Sequence, residues 1–154
     1  MAKIIVHLTT RARMPGIPSP KDYPFRLELI DKLKAQGHYL VQVGSAADAV
    51  LPGIDEAVLG RPLPEVEQLV KNADLFISID SLLPHMANYL GKRGVVLWGR
   101  GDYRVFGYMH NINLIASENN IRPDRFGFWD NIVVTPDMFV SPDAVVASVR
   151  ILLK

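Results

Sequence analysis

The apolar residues of this chain fall into two alternating patterns, and that alternation restricts the fold more than any other feature. Short runs rich in β-branched residues, at 3–8, 39–43, 75–79 and 94–98, have the length and continuity of strands buried on both faces. Between them the spacing changes. Phe25, Leu29, Ile30 and Leu33 recur at helical intervals and stop at Gly37, a residue suited to a left-handed helix end. Val66, Leu69, Val70 and Ala73 repeat at i, i+3, i+4 and i+7, which predicts an amphipathic helix over 64–72 with Pro64 near its start. Residues 84–90 read as a short helix closed by Gly91. Ser141-Pro142-Asp143 supplies a cap, a first-position proline and an acidic first turn for a last helix buried along Val145, Val149 and Leu152. Each crossover helix must pack back on the sheet with right-handed chirality, so the predicted fold is α/β: a Rossmann-like, three-layer domain with a mainly parallel sheet and the 3–8 strand central.

Other stretches carry weaker signals. Pro15, Gly16, Pro18, Pro20 and Pro24 exclude a helix or a central strand from 14–24. A short helix is predicted at 47–50, short strands at 57–59 and 112–115, and an irregular course after Gly99. Phe126-Gly127-Phe128-Trp129 reads first as a cover for the core, with a partner-binding surface as the alternative. With 154 residues, 49% of them hydrophobic, the expectation is one domain spanning 1–154. A net charge of +1 gives no general affinity for nucleic acid or membrane. The absence of cysteine excludes disulfides, thiolate nucleophiles and zinc-finger sites, and no segment has the length or flanks of a bilayer span or signal peptide, so a cytoplasmic protein is expected.

In parallel α/β sheets, ligands bind where strands end. The residues placed there are Thr9, Thr10, Arg11 and Arg13 after the first strand, Gly44, Ser45 and Asp48 after the second, 80–85 after the 75–79 strand, and 99–104 after the 94–98 strand. In Asp80-Ser81-Leu82-Leu83-Pro84-His85 an acid ends a strand and a hydroxyl precedes a helix whose first amides lack internal partners, an arrangement that attracts phosphate. Taken locally, the same residues are more simply an ordinary cap. Thr9, Thr10, Arg11, Arg13 and Lys21 offer hydroxyl and cationic donors, and Gly99 and Arg100 add a permissive backbone and another cation; taken alone, the first group is more simply a solvated strand end and the second a turn. There is no Gly-x-Gly-x-x-Gly after the first strand and no Gly-Lys-Ser/Thr loop, and His7, His38, His85 and His110 are too scattered for a local metal motif. No metal and no cofactor are expected.

The order of these residues resembles the C-terminal, donor-binding half of glycosyltransferase family 9, the heptosyltransferase-like family with the two-domain GT-B fold. The matching segments are Ile5-Val6-His7-Leu8-Thr9-Thr10-Arg11, Lys21-Asp22-Tyr23-Pro24, Ala73 through Ser81, His85-Met86-Ala87, Gly91-Lys92 and Val95-Val96-Leu97-Trp98-Gly99. The resemblance implies that Thr9, Thr10 and Lys21 contact the diphosphate of a nucleotide-sugar donor and that Asp80, Ser81 and His85 hold phosphate or sugar. It places Asp48 near the ribose; the strand-end positions add Arg11, Ser45, Leu82, Gly99 and Arg100 to the candidate ligand-binding set. Leu82 and Leu83 depart from the glycine common at that turn. The family's acceptor site and catalytic base belong to an N-terminal domain outside these residues, so no catalytic residue is assigned. The expectation is a domain that binds a nucleotide-sugar donor and needs an acceptor-domain partner or a second subunit, with self-association covering the open cleft. A non-catalytic nucleotide-binding or regulatory protein, and a scaffold with a vestigial pocket, are the rival expectations.

Overall fold

A computed structural model describes residues 1–10 and 17–154, so the expectations for Arg11 and Arg13 lie outside the described residues. Six strands, β1 (Lys3–His7), β2 (Tyr39–Gly44), β3 (Glu56–Leu59), β4 (Leu75–Ile79), β5 (Gly94–Trp98) and β6 (Ile112–Ile115), form one sheet in the order β3-β2-β1-β4-β5-β6. Every neighbouring pair is parallel. This is the strand order of the dinucleotide-binding Rossmann fold, and the chain reverses direction across the sheet between β1 and β4. The crevice opened by that reversal sits at the carboxyl ends of those two strands. There His7 pairs in register with Ser78.

Strand alternation divides the core. Ile4, Val6, Leu8, Ile77, Ile79, Val95 and Leu97 face α1 (Arg26–Ala35) and α5 (Pro142–Leu152), packing on Leu29, Ile30, Leu33, Val145 and Val149. Ile5, Val41, Val43, Phe76, Val96 and Trp98 face the opposite layer, α2 (Leu63–Asn72) and α3 (Leu82–Tyr89), meeting Val70, Leu83 and Ala87. Each such aliphatic side chain contributes about 1.5–3 kcal/mol when fully buried, so the two-faced pattern dictates the three layers. Gly94 opens β5 beneath Phe76; a Cβ there would lie 2.4 Å from its ring and carbonyl oxygen.

The structure departs from expectation in four places. Residues 47–50 form no helix: the Asp48 amide bonds the Ser45 carbonyl at 3.1 Å and its carboxylate takes the Ser45 amide at 2.7 Å, a local turn that competes with helix formation. Helix α3 begins at Leu82, two residues before Pro84, because a first-turn position needs no N–H and Pro84 is tolerated there. A short helix, α4 (Tyr103–Phe106), interrupts the stretch expected to be irregular; Asp102 caps it through the Arg104 amide. Finally, Phe126 and Phe128 do not cover the core, being 75% and 84% exposed. Their neighbours explain this: Arg122 and Lys21 both lie over the Trp129 ring, so only the tryptophan of this group is drawn inward. Among the described residues no helix is long and apolar enough to cross a membrane.

Candidate functional site

The carboxyl ends of β1, β2 and β3 meet the start of α3 around a cavity of about 320 Å³. Val43, Leu63, Val66, Leu82, Leu83 and Met86 form its apolar wall; His7, Thr10, Ser45, Asp48 and Arg61 bring polar groups. An apolar wall with a few convergent polar atoms is the usual make-up of a small-molecule site. Asp48 is held in place by the Ser45 amide and by the lack of a side chain at Gly44, where a Cβ would stand 2.3 Å from its Oδ2. Arg61 is engaged by Glu65 at 2.8 Å.

His7 closes the floor. Its Nδ1 lies 2.8 Å from Ser81 Oγ, which is 3.1 Å from Ser78 Oγ, and Ser78 donates to the Ile79 carbonyl at 2.7 Å. Burial pushes the His7 imidazole below its ordinary pKa, with the Asp48 charge opposing, so the ring is neutral at pH 7. Ser81 is the N-cap of α3 yet makes no side-chain bond to its own helix. Nearby, Thr10 donates its amide to Asp22 at 2.7 Å; burial raises the Asp22 pKa, and the Thr10 and Arg26 contacts work against that rise.

On the other side of the switch point, the loops read from the sequence as candidates converge, but they close on themselves. Lys21 pairs with Asp80 at 3.0 Å, and with Gly99, Arg100, Gly101 and Trp129 they enclose a cavity of only about 10 Å³. Arg100 donates to the carbonyls of Asn120 and Val133. The Asp102 carboxylate is fully buried and paired with Arg104 and Arg125, which hold its pKa below the usual carboxylate value against the cost of burial. A larger, mostly apolar groove of about 720 Å³ runs between residues 17–26 and 129–139, with four prolines, Ile17, Ile132 and Val134 among its lining and Asp22, Arg26 and Asp130 as its charged groups.

The residues expected from sequence therefore separate. Thr10, Ser45, Asp48 and Leu82 line the open cavity. Ser81 lies beside it through its bond to His7. Lys21, Asp80, Gly99 and Arg100 line the closed one, Thr9 is half-buried next to Thr10, and Arg11 lies outside the described residues. His85 belongs to neither cavity and bonds Tyr108 Oη at 2.7 Å. Sequence reading missed His7, Arg61 and Met86. A strand histidine looks structural until its register with Ser78 is known; that pairing is the signal that could have found it. Among the described residues no cluster of ligating side chains could hold a metal ion.

Comparison with known proteins follows the same lines. The family model of glycosyltransferase family 9 (heptosyltransferase) matches residues 14–126. Among solved structures, a family 9 glycosyl transferase from Veillonella parvula superposes with a TM-score of 0.74 at 18% identity, over 99% of this chain and 46% of its own. The E. coli ADP-heptose LPS heptosyltransferase II gives 0.72 at 17% identity, over 99% of this chain and 46% of its own. E. coli heptosyltransferase WaaC, solved with ADP, gives 0.67 at 18% identity, covering 98% and 44%. The chain thus spans less than half the length of these enzymes. No curated protein matches it by sequence.

Proposed function

This chain belongs to glycosyltransferase family 9, the heptosyltransferase family, and from that premise we propose that it is the part of a glycosyltransferase that binds the nucleotide-sugar donor. The observation that carries the reading is the 320 Å³ cavity at the topological switch point, where an apolar wall, the Asp48 carboxylate and a helix start without a side-chain cap come together. The apolar wall suits a nucleoside, Asp48 a pair of ribose hydroxyls, and the α3 start with Thr9 and Thr10 a diphosphate, whose negative charge the helix end stabilises. Lys21, freed from Asp80 by a competing phosphate, adds a cation as the bond to the sugar breaks. The base that deprotonates the acceptor hydroxyl comes from an acceptor-binding domain, a partner or a second copy covering the open side of the cleft.

Calorimetric titration tests the reading, with ADP-heptose as the first donor because a structurally similar enzyme carries that name, followed by GDP- and UDP-sugars. Saturable binding that is weakened by Asp48→Ala is expected; no binding of any nucleotide or nucleotide sugar overturns the proposal. Light scattering over a wide concentration range, with and without an acceptor-domain partner, tests the covering of the cleft, and a chain that stays monomeric and binds no partner argues against it.

A further inference from the structure

We infer that His7 is a specificity-determining residue of this cavity: the hydroxyls of Ser81 and Ser78 fix its tautomer so that Nε2 accepts a hydrogen bond from a ligand hydroxyl beside Asp48. The inference rests on the donor-site reading and adds to it a residue and a preference.

Proton counting gives the tautomer. A serine hydroxyl has one hydrogen, and a carbonyl oxygen can only accept. Ser78 Oγ is 2.7 Å from the Ile79 carbonyl, so its hydrogen is committed there. In its 3.1 Å contact with Ser81, Ser78 must therefore accept, and Ser81 gives its own hydrogen. Ser81 then has none for His7, so across the 2.8 Å contact Nδ1 is the donor. The chain of bonds runs in one direction, from His7 Nδ1–H to Ser81, to Ser78 and to the Ile79 carbonyl. Because Ser78 is fully buried, no solvent competes for its hydrogen.

With Nδ1 protonated and the ring neutral, Nε2 keeps its lone pair. His7 lines the cavity, and Nε2 has no partner among the described residues. Asp48 on the β2–β3 turn lines the same space and interacts electrostatically with His7. Both groups accept hydrogen bonds and neither can donate one. Arg61, the cation that lines this cavity, is bonded to Glu65. The Thr10 hydroxyl, also on this cavity, points its hydrogen at Asp22, so the two neighbouring acceptors call for a ligand with two neighbouring donors, and the vicinal diol of a ribonucleotide has that form.

Two measurements test this on the whole chain. Imidazole nitrogen NMR of the ligand-free protein reads the tautomer directly. A protonated Nδ1 and bare Nε2 are expected for His7, and a protonated Nε2 overturns the inference whatever the chain binds. Ser78→Ala releases the Ser81 hydrogen to Nδ1 and is expected to move the His7 proton to Nε2. Titration with ADP, GDP and UDP and their 2′-deoxy and 3′-deoxy forms reads the consequence. The ribonucleotide should bind about three- to tenfold more tightly than either deoxy form, the range of one hydrogen bond, and His7→Phe or Ser78→Ala should erase the preference against one of the two deoxy forms while leaving the other, which Asp48 sets. Equal binding of ribo and deoxy forms by the unmodified chain overturns this inference and leaves the donor-site reading standing. No binding of any of them overturns both.

Discussion

The two sides of the switch point are built from the same material and put it to opposite uses. On the β1–β2–β3 side, loop polar groups surround an open cavity, and a serine that could cap α3 is bonded to its strands instead. On the β5–β6 side, basic groups are engaged internally: Arg100 on two carbonyls, Arg104 and Arg125 on the buried Asp102, and Arg122 on the Trp129 ring and, through one of its three nitrogens, the Phe128 carbonyl. The lesson is that what a cation or hydroxyl at the end of a strand can offer a ligand is set by the partners that it already has in the protein.

Four changes would break or sharpen that contrast. Removing the carboxylate of Asp102 takes away the cap of α4 and the buried partner of two arginines; Asp102→Ala should cost about 2–3 kcal/mol in urea unfolding and leave nucleotide affinity unchanged. An affinity loss matching the stability loss would dissolve the distinction between the two sides. Asp48→Ala should do the reverse, weakening nucleotide binding by about 10- to 30-fold, roughly 1.5–2 kcal/mol for a charged acceptor, with less than about 1 kcal/mol lost in unfolding. Arg100→Met keeps the aliphatic stem and removes two bonds to carbonyls; a stability loss of about 1 kcal/mol with normal titration is expected.

The smallest effect is a difference in pH response. The His7 pKa is depressed by burial from its ordinary 6.5, so the unfolded chain takes up that proton first as pH falls. Its contribution to stability is complete above about pH 6.5 and is lost on acidification from there, and His38, also depressed by burial, has the same sign. The Asp102 pKa is depressed below 3.8, so its contribution is complete above about pH 3.8 and is lost as the pH falls from there through the lower folded value. Between pH 7 and 5 the unfolding free energy should therefore decline. His7→Gln should flatten the decline, while Asp102→Asn should leave its slope untouched.

The fold was legible where one kind of spacing ran without interruption. Residues 75–79 and 94–98 are strands in sequence and structure because buried parallel strands admit almost nothing but β-branched and large apolar residues. Helix α5 was equally plain from Ser141, Pro142 and the Val145–Val149 stripe. Legibility failed where side chains bond the backbone next to them: Asp48 turns the chain at 45–48, and Asp102 starts a helix in a stretch that looked irregular. At the candidate site, Thr10, Ser45, Asp48 and Leu82 could be placed from strand ends alone. His7 could not, because its relation to Ser78 and Ser81 exists only through the register of two strands far apart in the chain. Lys21 and Arg100 looked like free cations for the complementary reason, since a sequence records a charge and not its partner.

The packing of α1 against α5 also sets a timetable for synthesis. Leu29, Ile30 and Leu33 share one cluster with Val145 and Val149, yet roughly 100 residues separate the two helices; at about 5–20 residues per second, the ribosome takes on the order of 5–20 s to cover that interval. Throughout it the oily side of the first helix waits beside a half-built sheet. The nascent chain is thus exposed to chaperones and to its neighbours on the same message for far longer than local helix formation takes, and this layer of the core can close only after α5 has cleared the exit tunnel.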